Sequence, residues 1–324
     1  MLASPGARRL ALGGLALAAA LLPLALTNYW LDVLTFYGLY VLLGLALNVV
    51  VGYTGLFNLG QAAFYGIGAY VTAILNTRLG VPVLLTLPVA AVAAGAVAYA
   101  VGRPILHLRG DYLALVTIGL GEITLIAINN DVFGLTGGPN GIFGIDRPSV
   151  LGFVFGTSLR YYYLVWAVVA VVIGLLHRLE NSRVGRAWML IREDEVAAAA
   201  AGVDVAAYKT LAFSLSAALA GAVGTLYAGK MTVIAPESFS TWESVLMFSI
   251  VILGGAGSIP GVFVGALGMV VLPELFRDFS NWRMLVFGAA MVAMMVFRPA
   301  GLWPARPSAA PGRPAKGGAR RAAA

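Results

Sequence analysis

The fold is decided by residues 33–77, "VLTFYGLYVLLGLALNVVVGYTGLFNLGQAAFYGIGAYVTAILNT", which hold no Asp, Glu, Lys or Arg. A helix rises 1.5 Å per residue and needs about 20 apolar residues to cross a hydrocarbon core about 30 Å thick. The run is long enough for two crossings. Between them "GYTGLFNLG" (52–60) carries glycines at 52, 55 and 60, and such a cluster interrupts a helical pattern. The expectation is two spans joined by a glycine-rich break, with Asn58 and Gln61 flanking that break.

Charge is likewise absent over 79–102 and 244–273. Of 324 residues, 60% are hydrophobic and 11% charged, against roughly 25% charge in a soluble domain. Backbone polar groups at membrane depth must be bonded within the chain, and no alternating pattern offers barrel strands. The class is therefore all-α, a polytopic transmembrane helix bundle of about 8–10 spans. Apolar runs place helices near 10–31, 33–51, 60–77, 81–101, 112–129, 161–177, 210–229, 244–256, 258–273 and 284–297. The last three are brief enough to be short spans or re-entrant segments.

Cations orient the bundle. Arg8 and Arg9 precede the first run, Arg103 and Arg109 separate the fourth from the fifth, and Arg178, Arg183, Arg186, Arg192 and Lys209 separate the sixth from the seventh. Arg298 opens the C-terminal tail. Ten spans put all four clusters, and both termini, on the cytoplasmic side; eight would keep both ends inside as well. The N-terminal "ASPGARRLALGGLALAAALLPLALTN" looks like a signal peptide, but its apolar run is long enough to span, and it reads as an uncleaved first helix. The transmembrane domain covers 1–304. The tail, 305–324, is rich in Pro, Gly and Ala and reads as disordered, its basic residues suited to anionic lipid.

Several chemistries are excluded. Without cysteine there is no disulfide framework or thiolate metal site. His107 and His177 stand beside arginines at span ends and supply too few ligands for a metal. There is no Walker pattern, no Ser–His–Asp set and no carboxylate cluster, so no enzyme, cofactor or metal is expected. No basic patch is interleaved with aromatics, which argues against nucleic acid.

One island of charge interrupts the apolar pattern. Residues 178–209 carry five basic and five acidic side chains, far more chain than a connection between two spans needs. From Arg186 to Ala201 there is no Gly or Pro, so the middle reads as one helix. Gly202 then ends it, and Asp204 is placed to cap the next helix. The "REDE" cluster (192–195) breaks any clean apolar stripe, so this is not a helix built to lie on lipid. A compact charged helix with a glycine hinge suits docking to a soluble partner; a solvated loop is the plainer alternative.

The island, "GRAWMLIREDEVAAAAAGV", resembles the cytoplasmic EAA loop of ABC importer permeases, in the form found in the LivM-type permeases of branched-chain amino acid importers. The loop's pattern is Glu-Ala-Ala, three residues, then Gly. Ala197, Ala198 and Gly202 match it, while Val196 holds the glutamate position and Glu195 stands one place early. "GLFNLGQAAFYGIGAY", "LRGDYLALVTIGLGEI", "TGGPNGI", "PESF", "VILGGAGSIPG" and "FRPAGLWP" agree with the family in order, from residue 55 to 304. The resemblance implies a permease subunit that forms the pathway for Leu, Ile or Val and couples to separate ATPases. Arg186, Arg192, Glu193, Asp194, Glu195, Ala197, Ala198 and Gly202 would form the coupling region. It also implies two ATPase subunits, a second, LivH-type permease, an external binding protein and a lipid environment. Related permeases carry urea or amides, and an ion-coupled carrier working alone is a further alternative.

The pathway candidates are Asn58 and Gln61 at the glycine break, Glu122, and Asn129. Broken helices beside polar side chains commonly build a site within a bundle. Glu122 is the acid deep inside a predicted span; its expense in lipid predicts that it faces the bundle interior and has a partner, such as Asn129, Asn130 or a facing helix. The family often has arginine three residues on, where Leu125 stands. "LTGGPNGIFGI" (135–145) is expected outside, with Thr136, Gly137, Gly138 and Asn140 as candidates to face a binding protein.

Overall fold

A computed structural model describes residues 26–108, 110–131, 134–150, 153–276 and 301–304, with isolated positions at 23, 288, 292 and 298. The run predicted at 33–51 gives α1 (Asn28–Asn48), which continues as a π-helical turn, Val49–Thr54. Gly55, in the left-handed region at φ 72°, ends it. After the break at 55–60 come α2 (Gln61–Leu79), α3 (Val83–Ile105), α4 (Asp111–Asn129) and α5 (Ser158–Glu180). The island forms α6 (Arg183–Glu193) and α7 (Glu195–Ala200), followed by α8 (Val205–Met231), α9 (Thr241–Gly254), α10 (Ile259–Ala266) and α11 (Leu272–Leu275). A second π-helical turn, Leu267–Val271, joins α10 to α11.

Among the described residues, five helices are long and apolar enough to cross a membrane: Asn28–Thr54, Val83–Ile105, Asp111–Asn129, Ser158–Glu180 and Val205–Met231. The first and last of these form the centre. α8 packs most extensively on α3 and α2, and α1 packs on α5 and α8. Small residues set the closest approach: a Cβ on Gly68 of α2 would stand 2.1 Å from the Gly221 carbonyl oxygen of α8, so the two backbones touch. The same device closes the α9–α10 hairpin, where a Cβ on Gly254 would lie 2.1 Å from the Gly261 carbonyl.

Contacts sort the connections to two ends. At one, Asp32 pairs with Lys230 at 2.5 Å, Asn76 bonds Asp146, and Tyr29 bonds Glu274. β1 (Ile142–Phe143) pairs antiparallel with β4 (Val233–Ile234), and β2 (Ser149–Val150) with β3 (Phe153–Val154). At the other end the island meets residues 52–57, and Trp303 N donates to the Gly254 carbonyl at 2.8 Å. From α1 to α11 the chain alternates between these ends, but α9 does not cross by itself: Phe239 packs on Tyr65 and Tyr70 of α2, so the chain enters the bundle before α9 starts beside Tyr40 and Glu122.

Three expectations are corrected. The second span is longer than 33–51: it begins at Asn28, so Asp32 lies inside the helix. The island is two helices, because Asp194 is extended (φ −158°, ψ 113°) and its side chain takes the Val196 and Ala197 N–H groups, an N-cap that competes with continuing the helix. The three glycines spaced by four in "GSIPGVFVG" (257–265) read in sequence as helix-packing residues; Gly261 and Gly265 do meet the α9 backbone, but Gly257 instead turns the chain at φ 86°. Apart from its last residues, the predicted 10–31 span lies outside the described residues, as do Arg8, Arg9, Arg109, most of 284–297 and the tail 305–324.

Candidate functional site

The glycine break builds a polar junction where four helices meet. The first N–H groups of a helix have no internal partner, and in α2 neighbouring side chains supply them. Asn58 Oδ1 accepts from Gly60 N at 2.9 Å, Ser244 Oγ of α9 accepts from Ala62 N at 2.9 Å, and Thr117 Oγ1 of α4 accepts from Leu59 N at 3.1 Å. Asn58 Nδ2 donates to Gln61 Oε1 at 2.9 Å, and Gln61 Nε2 donates to Ser216 Oγ of α8 at 3.1 Å. Asn58 and Gln61 are 1% and 0% exposed. Both pathway candidates are thus buried and hydrogen-bonded into a closed seam joining α2, α4, α8 and α9.

Glu122 is placed otherwise. It is exposed on α4, the least enclosed of the five long apolar helices, among exposed Leu115, Ile123 and Ile126. Its carboxylate accepts from the Thr241 hydroxyl at the start of α9. The expected partner on a facing helix exists, but the acid looks out of this chain rather than into its centre. Asn129 is half-buried in the last turn of α4.

In the island, one face is fixed to the bundle. Trp188 is fully buried and donates through Nε1 to the Tyr208 carbonyl at 2.8 Å. Ile191 and Ala198 are buried with it. Arg192 donates to the Gly52 carbonyl, and Glu195 pairs with Lys209, which is 3% exposed on α8. Arg186, Glu193, Val196, Ala197 and Gly202 are exposed, Val196 to 69%. Gly202 holds φ 84°, and the Val203 N–H returns to the Ala198 carbonyl at 3.1 Å, a left-handed helix stop that glycine adopts without strain.

At the far end Asp131 organises the 131–141 loop. Its Oδ1 accepts from Thr136 N at 2.7 Å and Gly137 N at 2.9 Å. The Thr136 backbone bond, with those from the Thr136 hydroxyl and Gly137, holds this carboxyl below its ordinary range. Gly138 is buried and Asn140 exposed.

The sequence reading missed Lys209 as a buried ion-pair partner, and missed Glu243, half-buried at the start of α9 and bonded by the Tyr40 hydroxyl at 2.8 Å. Glu243 fell one residue outside a predicted span. Ser216, Ser244 and Thr117 carry no charge or spacing to mark them, although hydroxyls facing a glycine break were a usable signal.

Long apolar helices alternating between two ends, polar side chains seaming their broken segments and a charged platform at one end define a multi-pass permease. Residues 29–295 match the family described as "Branched-chain amino acid transport system / permease component", and the chain belongs to it. It is 41% identical to the high-affinity branched-chain amino acid transport system permease protein LivM of Escherichia coli (strain K12), over 92% of this chain and 75% of that protein. It is 25% identical to the probable branched-chain amino acid transport permease protein LivM of Methanocaldococcus jannaschii, over 86% of this chain and 94% of the relative. The permease protein LivH of Salmonella typhimurium is 26% identical over 81% of this chain and 90% of its own. No solved structure matches.

Proposed function

We propose that this chain is the LivM-type transmembrane subunit of an ABC importer for leucine, isoleucine and valine. It hydrolyses nothing itself: two separate ATPase subunits dock on the island, which faces the cytoplasm at the bacterial inner membrane. An external binding protein delivers substrate at the end carrying Thr136 to Asn140. A second, LivH-like permease covers the exposed face of α4. The family membership supports the class. The observation that carries the coupling assignment is the two-sided island: Trp188, Ile191 and Ala198 anchor one face, while Arg186, Glu193, Val196 and Ala197 are left exposed on the other. A carboxylate facing lipid at mid-span is expensive, so Glu122 supports a protein neighbour on α4 rather than acyl chains.

The docking claim is tested with Glu193→Lys combined with Val196→Asp. Both side chains are exposed, so the bundle keeps its packing and membrane insertion is expected to be normal. Charge reversal at an interface costs several kcal/mol, enough to release a subunit held at micromolar affinity, about 8 kcal/mol. The expected result is loss of ATPase subunits on co-purification and loss of leucine uptake. Wild-type co-purification and uptake would reduce the island to a solvated loop.

A further inference from the structure

Two side chains of the island bond back to the bundle, Arg192 from an exposed position and Glu195 from a half-buried one. Arg192 donates Nη1 to the carbonyl of Gly52, in the last turn of the α1 extension. The last carbonyls of a helix lack internal partners and lie at the negative end of its dipole, so a guanidinium is well suited there. The turn it holds is π-helical, a form that occurs mostly as short irregularities at functional positions. It is also incompletely bonded: Asn48 is fully buried, its Oδ1 accepts from Gly257 N at 2.8 Å, and its Nδ2 has no partner. A buried donor left open in a native structure asks for a reason, and a turn that exchanges between two bonding arrangements provides one. A cleft of about 330 Å³ opens beside Arg192, lined by Thr54, Phe57, Leu108, Leu113, Ile191 and Val196, so the end of this turn is not packed over at that side.

The second side chain is Glu195, paired with buried Lys209 on α8. A buried cation without its partner is strongly destabilising, so α7 and the foot of α8 are held together. Seven residues further along α8, on the same helical face and about 10 Å away, stands Ser216, bonded to Gln61. The first link leads through residues 52–58 to Asn58, and Asn58 is also bonded to Gln61. Two separate struts therefore start on adjacent turns of the island and end on the same hydrogen-bonded junction.

We propose that Arg192 and Glu195 are transmission residues, not docking residues. A tilt of α6 and α7 is carried by Arg192 to the π-helical turn and by Glu195 to α8, and the two displacements meet at Asn58, Gln61 and Ser216, which open or close the seam. The proposal rests on the importer reading above for what drives the tilt, and on this chain's geometry alone for where the tilt goes.

The test uses the complete complex in proteoliposomes, with binding protein and leucine. Arg192→Gln is expected to co-purify ATPase subunits at the wild-type level, while leucine-stimulated hydrolysis and uptake fall at least about tenfold. Arg192→Lys, which keeps a cation able to donate to one carbonyl, is expected to recover part of both. Glu195→Gln with Lys209→Met removes both charges together and avoids an orphaned buried cation; it is expected to uncouple in the same way. Loss of ATPase subunits from Arg192→Gln would make Arg192 a docking contact and overturn the proposal, as would uptake at the wild-type rate. A second measurement needs no ATPase: hydrogen exchange over residues 52–60 of the purified permease is expected to quicken in Arg192→Gln, and unchanged exchange would break the link. If wild-type protein co-purifies no ATPase, the importer reading itself fails while the exchange result still decides the strut.

Discussion

Glu193, Asp194 and Glu195 are adjacent, yet one extended residue gives them three tasks. Asp194 caps α7, Glu195 is turned to Lys209 and Glu193 is left exposed. Reversing all three charges would therefore unpick a cap, a buried ion pair and a surface at once, and Glu193 alone reports on docking. Glu122 poses the opposite question, since the bond it accepts among the described residues, from the Thr241 hydroxyl, needs only an acceptor. Glu122→Gln retains that acceptor in its amide oxygen, and a neutral hydrogen bond contributes about 1 kcal/mol. Leucine uptake by Glu122→Gln is expected to stay within about fivefold of wild type, since 1 kcal/mol corresponds to that factor. Complete loss in a well-inserted variant would show that the charge itself is required, and would revive an ion-coupled carrier. The position of Glu122 in a span was legible because an acid in an apolar run is conspicuous. The direction it faces was not, because helix rotation is set by packing against α2 and α9, which a single run of sequence does not encode.

At the scale of elements, the island's length, charge and glycine stop were all readable, and its break was not. Composition from Arg186 to Ala201 favours a continuous helix, but Asp194 offers its own backbone an alternative cap, and burial of Trp188 on one side and the Lys209 pair on the other decides for the bend. The hinge itself is simpler. Gly202 holds φ 84° and nothing lies within 4 Å of a Cβ built there, so substitution acts through backbone strain alone. The left-handed conformation costs other L-residues about 1–2 kcal/mol, and a β-branched side chain is the worst suited to it. Gly202→Val is expected to keep ATPase subunits bound while separating hydrolysis from uptake, whereas Gly202→Asn, a residue that visits this region, is expected to transport. If valine and asparagine behave alike, the left-handed turn is not the working part of the joint.

Across the whole molecule, the connections divide between two ends. Cation counts group the island with Arg103, and residues 135–145 are expected at the opposite side; the contacts separate the same connections, since β1 joins β4 and Asp32 pairs with Lys230 at one end while the island lies against 52–57 at the other. The agreement has a physical origin, because charge is expensive to move across a bilayer and is laid down where the chain stays in water. The polar seam was less legible, because Ser216 and Ser244 acquire their meaning only when three helices bring them to the start of α2. The two-ended arrangement can be tested directly, since the chain has no cysteine and a single introduced thiol reports unambiguously. Asn140 and Ala200 are exposed at opposite ends of the bundle. In intact cells with a permeable outer layer, Asn140→Cys is expected to react with a membrane-impermeant maleimide, and Ala200→Cys is expected to react only after the inner membrane is opened. Labelling of both from the same side would put the 134–141 loop and the island, proposed to meet a binding protein and the ATPases respectively, in one compartment. Neither the importer reading nor a strut running from the platform into the bundle to gate it would survive that result.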